Sequence, residues 1–221
     1  YQPAYFEFML RSLPRRGAEK DFPGRLWAGR NSQGPVWRIE LDGGPRFLVQ
    51  DGPHAAVWRT SGAGVERAPL GVPLIPDLDI TPFDLLMPYF YWPDARAVGV
   101  DRVLGRPADV FVFRPPADFG AQVPGLAEVR AYLDGEYHAP LQVESLGPAG
   151  SVFKTLTLVD LKRVAGQVLP KDIDVRDEAT RNKTRFSLTA VELGVDLSPA
   201  LFTPASLTEA VAPPAGPIER F

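Results

Sequence analysis

Thr81–Trp92 reads TPFDLLMPYFYW, and no other stretch of the 221-residue chain resembles it. Thr81 is placed to cap a helix, Pro82 suits the first helical position, and Asp84 stands at the capping-box spacing. Pro88 then removes the amide that would bond back to Asp84 and disfavours helical geometry at Met87. The spacing predicts a kink or two short helical turns, ended by Pro93. Phe83, Leu85, Leu86, Met87, Tyr89, Phe90, Tyr91 and Trp92 wrap the element in apolar surface on every side, so it has to be buried. Two burials fit: a plug that completes a core, or a lid over an incompletely filled cavity in a curved sheet.

The sequence around this block alternates apolar and polar residues in short runs broken by Gly, Pro and Asp, the pattern of strands and turns. Strands are expected at Ala4–Pro14, Gly24–Asn31, Pro35–Leu41, Arg46–Gln50 and His54–Thr60. Phe6 and Phe8 share a face of the first, and Val36, Arg38 and Glu40 stand opposite Trp37, Ile39 and Leu41. Asp42-Gly43-Gly44 and Asp51-Gly52 supply turns, because Gly reaches positive φ at low cost. Ser61–Asp77 is Gly- and Pro-rich and is expected to cross the sheet as a loop. Strands resume at Ala97–Leu104, Ala108–Pro115, Glu128–Asp134, His138–Gly147, Ser151–Val164, Gln167–Arg176 and Lys183–Leu197, with turns at Asp134-Gly135 and Ala165-Gly166. In Ser151–Val164 neither face is cleanly polar: Lys154, Leu156 and Leu158 share one side, and Phe153, Thr155 and Thr157 the other. Ser198–Leu207 is expected to form a short helix capped by Ser198, and the Pro-rich residues 211–221 a loose tail. One domain over residues 1–210 follows, of size common for an undivided β fold.

Composition excludes several classes. The chain has no cysteine, so disulfides and thiol chemistry are ruled out and a tetrahedral zinc site is not expected. A net charge of −3 with mixed signs does not point to nucleic acid. No apolar run approaches the roughly 20 residues that span a bilayer. The first residue is Tyr rather than Met, and the expectation is a trimmed start with an export signal lost.

No catalytic constellation emerges. His54 and His138 each follow a turn and lack metal-motif spacing, and no nucleophile elbow, P-loop or dinucleotide motif is present. Asp77, Asp79 and Asp84 read as caps and loop solvation rather than a calcium loop. Asp172 and Asp174 share a strand face beside Lys171 and Arg176, as a solvated edge would. Arg181, Lys183 and Arg185 share another, and read either as a docking patch for an acidic partner or as an ordinary outer face.

The order of features resembles the outer-membrane lipoprotein-sorting superfamily, the LolA/LolB-like carriers, and especially its less characterised bacterial branch. The residues that carry this are Gln50-Asp51-Gly52 followed by Trp58; Leu78–Leu86 running into Tyr91-Trp92-Pro93; Gly99 and Val103–Ala108; and Tyr132-Leu133-Asp134 followed by Leu141-Gln142-Val143-Glu144. The resemblance extends from about Phe6 to Leu207. It implies a mainly β (α+β) fold: a single curved antiparallel sheet forming an unclosed barrel, with short helices covering the concave face. It further implies a periplasmic, non-enzymatic and cofactor-free protein that shields acyl chains of a lipoprotein or lipid. Such a protein is expected to be monomeric, and to meet an outer-membrane acceptor or a membrane surface transiently. On this resemblance Phe6, Phe8, Trp27, Trp37, Phe47 and Trp58 are expected in the cavity wall. Leu85, Leu86, Met87, Tyr89, Phe90, Tyr91 and Trp92 fall in the lid, which Arg106 would hold by hydrogen bonds to its backbone carbonyls. One departure stands out: such carriers usually have a helix before the first strand, and this chain opens on strand-like sequence. The other function left open is an envelope sensor or interaction module whose filled core binds a protein partner.

Overall fold

The computed structural model describes residues 2–62, 64–136 and 139–221. His138 therefore lies outside the described residues. Fourteen strands form one antiparallel sheet that does not close into a barrel. The first meander comprises β1 (Ala4–Leu13), β2 (Lys20–Asn31), β3 (Gly34–Leu41), β4 (Arg46–Gln50), β5 (Ala56–Ser61) and β6 (Gly64–Ala68). The second comprises β7 (Asp94–Val103), β8 (Arg106–Arg114), β9 (Glu128–Asp134), β10 (Pro140–Leu146), β11 (Val152–Val164), β12 (Gln167–Asp177) and β13 (Lys183–Leu193). β1 pairs with β13 and joins the meanders back to back, which leaves β6 and β7 as the two edges of the sheet.

The chain between those edges crosses the concave face. It includes the helix α1 (Pro82–Leu86) and a 3₁₀ turn at Pro88–Tyr91, separated by Met87 in the left-handed conformation. The capping box forms as the sequence implies: the Thr81 hydroxyl accepts from the Asp84 amide, and the Asp84 carboxylate accepts from the Thr81 amide at 2.8 Å. Pro88 ends α1 because it has no amide to continue the ladder, and Met87 absorbs the break at φ 48°. The crossover is tied down along its length. Ser12 donates to the Asp77 carbonyl, Lys20 pairs with the Asp77 carboxylate at 2.9 Å, and the Asp79 amide donates to the Thr184 hydroxyl at 2.8 Å.

Three expectations change. Ser61–Asp77 is not all loop, since Gly64–Ala68 folds back as β6 against β5. Ser198–Leu207 is not one helix but two 3₁₀ turns, Pro199–Phe202 and Pro204–Thr208, with Ser198 capping the first. The tail is not loose throughout: β14 (Glu219–Arg220) pairs with β13 at Ala190 and Val191.

The 3₁₀ turns cover the outer face of the first meander and make a second core there with Tyr5, Trp27, Val36, Leu48, Phe202 and Leu207. Gly29 makes room for the Phe202 ring, which a Cβ at that position would overlap. Arg38 and Glu40 are fully buried beneath the turns and pair at 2.7 Å. Arg38 also donates to the Ser206 carbonyl and hydroxyl and to the Glu209 carbonyl, while Glu40 accepts from the Val211 amide. A buried ion pair of this kind is tolerable only because its remaining donors and acceptors are engaged. The same burial, aided by the nearby Glu7 carboxylate, pushes the Tyr5 hydroxyl up to about 12.

Candidate functional site

The concave face divides into a filled end and a hollow end, and the aromatic block forms the boundary. At the filled end Phe83, Tyr89 and Trp92 are buried against Phe113 and Phe119, with ring centroids 4.9–6.3 Å apart. Tilted and edge-on contacts at these distances are the favourable aromatic geometries. Burial drives the Tyr89 hydroxyl well above its usual titration range. The void left here, between Phe83, Tyr89, Val143 and Leu156, is about 10 Å³, room for one water at most.

The hollow end contains two adjoining cavities. One, of about 640 Å³, lies over β1–β3 and β13 and is lined by Phe6, Leu26, Trp37, Leu85, Phe186 and Leu188 among others. The other, of about 560 Å³, lies toward β10 and the β11–β12 hairpin, with Leu141, Leu158, Leu161 and Val168 in its wall. Met87, Leu156, Pro170 and Ile173 line both, so the two are lobes of one space pinched at Met87. Each lobe falls within the roughly 300–1,000 Å³ of small-molecule sites, and the lining is predominantly apolar as such sites require. The space persists partly because β12 pairs with β13 only over Asp172–Arg176. Beyond that the β11–β12 hairpin leaves the sheet, and Gln167 near its tip meets Gln2 at 3.3 Å.

The roof is anchored by charge. Lys154 on β11 reaches the Asp84 carboxylate at 2.9 Å, and the same oxygen accepts from the Thr81 amide and hydroxyl. Asp84 is 5% exposed and Lys154 16%. Asp79, one turn earlier, is held above the usual carboxylate range by burial and then by the Asp177 charge, with Lys154 pulling the other way.

The expected wall residues separate. Phe6 and Trp37 line the larger lobe, whereas Phe8 and Phe47 are packed into the core on the same face. Trp27 and Trp58 are corrections: both stand on the opposite face, packed in the second core beneath the C-terminal turns. Strand alternation is the reason, since Trp27 pairs with Tyr5 and Arg38, and Trp58 with Leu48, all pointing outward. The expected lid residues separate too. Leu85 and Met87 face the cavity, while Leu86, Tyr89 and Trp92 belong to the filled core. Phe90 and Tyr91 are 42% and 46% exposed. Phe90 lies edge-on to Phe113, and the Tyr91 hydroxyl donates to Asp51, whose carboxyl burial holds above its ordinary value. Arg106 is also a correction: it pairs with Asp134 at 2.6 Å and lines the smaller lobe, rather than bonding lid carbonyls. It sits at the β7–β8 turn, where the nearest acid is on the neighbouring strand β9.

The remaining candidates are accounted for by local pairing. Arg181 pairs with Glu178, and Lys183 and Arg185 both with Asp174, so each cation of the basic patch has a carboxylate partner. Burial works to raise Asp174, but the two cations hold it below the usual carboxylate range. Asp172 accepts from the Ser187 hydroxyl and Asp77 pairs with Lys20. His54 borders a separate pocket of about 370 Å³ with Tyr91 and Trp92. Among the described residues no cluster of His, Asp or Glu is arranged to hold a metal, and no helix is long and apolar enough to cross a membrane. The sequence reading missed the second meander's share of the cavity, above all Leu156, Leu158, Ile173 and Phe186. The available signal was the shared face of Lys154, Leu156 and Leu158 on a strand with no polar side.

No curated protein matches the sequence significantly. A family model described only as an uncharacterized protein matches residues 122–209, less than half of the chain. Solved structures match far more of it. An outer membrane lipoprotein-sorting protein domain from Vibrio parahaemolyticus is 16% identical with a TM-score of 0.79, over 94% of this chain and 92% of that one. A DUF1329 family protein from Desulfovibrio piger is 14% identical with a TM-score of 0.76, over 93% and 91%. A LolA superfamily protein from Nitrosomonas europaea is 15% identical with a TM-score of 0.71, over 91% and 90%. At these identities the likeness is one of architecture, and the architecture is plain: this chain has the fold of the LolA-superfamily and lipoprotein-sorting domains.

Proposed function

We propose that the protein is a periplasmic carrier or binding protein that shields acyl chains of a lipoprotein or lipid, without covalent chemistry. The observation that carries this is the pair of connected apolar lobes, about 640 and 560 Å³, left open beneath a roof that fills the rest of the trough. The fold shared with lipoprotein-sorting domains supports the same reading. Burial of apolar surface supplies the affinity, at about 0.8 kcal/mol per methylene. Ten buried methylenes contribute about 8 kcal/mol, against an association cost of about 4–15 kcal/mol. A short chain is therefore held weakly, and a long one that enters both lobes is held well.

Gentle extraction of the purified protein followed by lipid mass spectrometry, with native mass spectrometry of the intact complex, tests this. Retained acyl lipid, or stoichiometric rebinding after delipidation, is the expected result. Failure to retain or rebind any acyl lipid would overturn it.

A protein partner is the second reading, and β7 favours it. This edge strand is exposed along nearly its whole length, with Val98 at 50% and Val100 at 72%. An unpaired edge of this kind accepts an added strand from another chain. Val100→Lys should abolish such binding without affecting lipid retention.

A further inference from the structure

The charges around the cavity are distributed unevenly, and the imbalance bears on what the lipid carries at its polar end. This inference rests on the acyl-chain reading above. Four charged side chains line the smaller lobe: Arg106, Asp134, Lys162 and Arg163. Arg106 and Asp134 pair with each other at 2.6 Å. Lys162 and Arg163 stand next to the tip of the β11–β12 hairpin, and among the described residues neither makes an ion pair. The ammonium of Lys162 lies 4.8 Å from the centroid of the Phe221 ring. A ring face satisfies the charge on one side and leaves other N–H donors free. Asp160, the nearest acid along the strand, is engaged by Lys171 at 3.2 Å and feels the Lys162 charge only at longer range. The larger lobe has no such surplus. Its one charged group, Asp84, is occupied by Lys154 and Thr81, and its other polar side chains, Gln2 and Gln167, are neutral.

We propose that the ligand is an amphiphile with an anionic headgroup, phosphate or carboxylate, which Lys162 and Arg163 hold at the hairpin tip while its chain runs past Met87 into the larger lobe. The arginine fork matches two oxygens of either headgroup, and the lysine adds a mobile point charge. Between these cations and the pinch at Met87 the wall is Leu158, Pro170, Ile173 and Leu156, an apolar path suited to a chain. The hairpin tip borders this lobe and stands apart from β13, whose edge beyond Ser187 is taken by β14 at Ala190 and Val191.

The test uses the delipidated protein, presented with equal amounts of phosphatidylglycerol and of diacylglycerol, which has no phosphate, bearing identical chains, and reads occupancy by native mass spectrometry. Two exposed charge contacts favour phosphatidylglycerol by about five-fold. That preference should fall as ionic strength approaches about 1 M, where screening is nearly complete. The double variant Lys162→Gln, Arg163→Gln should reduce the preference below about two-fold while diacylglycerol occupancy stays unchanged. Inorganic phosphate at the same concentration should leave the bound lipid in place, because it lacks the chain. Equal occupancy of the two lipids overturns the inference, as does a preference that survives the double variant or displacement by phosphate alone. Binding of neither lipid overturns the carrier reading itself, which separates the two failures.

Discussion

The filled and hollow ends of the concave face are covered by the same twelve-residue block, yet one retains a void of about 10 Å³ and the other two lobes of about 560 and 640 Å³. The difference lies in which side chains the block aims each way. Toward the filled end it sends Phe83, Tyr89 and Trp92, three rings that meet two more from β8 and its following loop. Toward the hollow end it sends Leu85 and Met87, which line the lobes without filling them. The left-handed turn at Met87 sets this division, since it stops α1 after little more than one turn and redirects the chain. Plug and lid are therefore not alternatives here. One short element fills one end and borders the open space at the other.

That contrast can be broken in several places. Phe83→Ala or Tyr89→Ala should cost about 3–5 kcal/mol in urea denaturation, because each leaves a large cavity among rings that cannot collapse onto it. Lys154→Met leaves the Asp84 carboxylate buried without its cation and should cost about 2 kcal/mol, less than a fully buried pair because Lys154 is partly exposed. Adding Asp84→Asn to that variant should recover part of the loss, and a double-mutant cycle measures the coupling. On the hollow side Leu85→Ala should cost about 1 kcal/mol or less, since its side chain already borders open space. A loss at Leu85 equal to that at Phe83 would show that the cavity is filled in solution and the contrast false. Ile173→Trp should change stability little while reducing lipid retention, because it narrows the passage both lobes share.

The smallest effect concerns the roof's approach. Asp79 is held above its ordinary range, so its contribution to stability is full below its unfolded value of about 3.9 and is lost as pH rises through the raised folded value. Asp79→Asn should therefore be more stable than the native protein at neutral pH, and the advantage should vanish near pH 4. Urea denaturation at the two pH values reads this directly. An advantage that grows in acid would mean that Asp79 is stabilised as a carboxylate, by Lys154.

Much of the sheet was legible because hairpin turns announce themselves and strand alternation is strict. β6 was not, since a five-residue strand that opens on Gly64, just past Gly62, has the composition of a loop and exists through its pairing with β5. Trp27 and Trp58 illustrate a second limit. Alternation correctly assigns Trp27 away from Leu26 and Trp37 away from Arg38, but no local pattern says which face is concave. Arg38 and Glu40 illustrate a third. On β3 they look like a solvated outer row, and they are buried because Ser206, Glu209 and Val211, some 170 residues later in the chain, return to cover them.

The sequence by itself determined the local elements: the capping box at Thr81 and Asp84, the break at Pro88, and the burial of most of the aromatic block, which all-round apolarity demanded also of Phe90 and Tyr91 although the fold leaves those two exposed. These depend on neighbours three or four residues apart, which is the range over which caps, proline sterics and amphipathicity act. Only the tertiary structure decided that the block fills one end and borders the open space at the other, that β12 parts from β13, and that Lys162 and Arg163 line the smaller lobe. Those outcomes depend on packing between strands far apart in the chain, where volume and the supply of hydrogen-bond partners, rather than local pattern, select the arrangement.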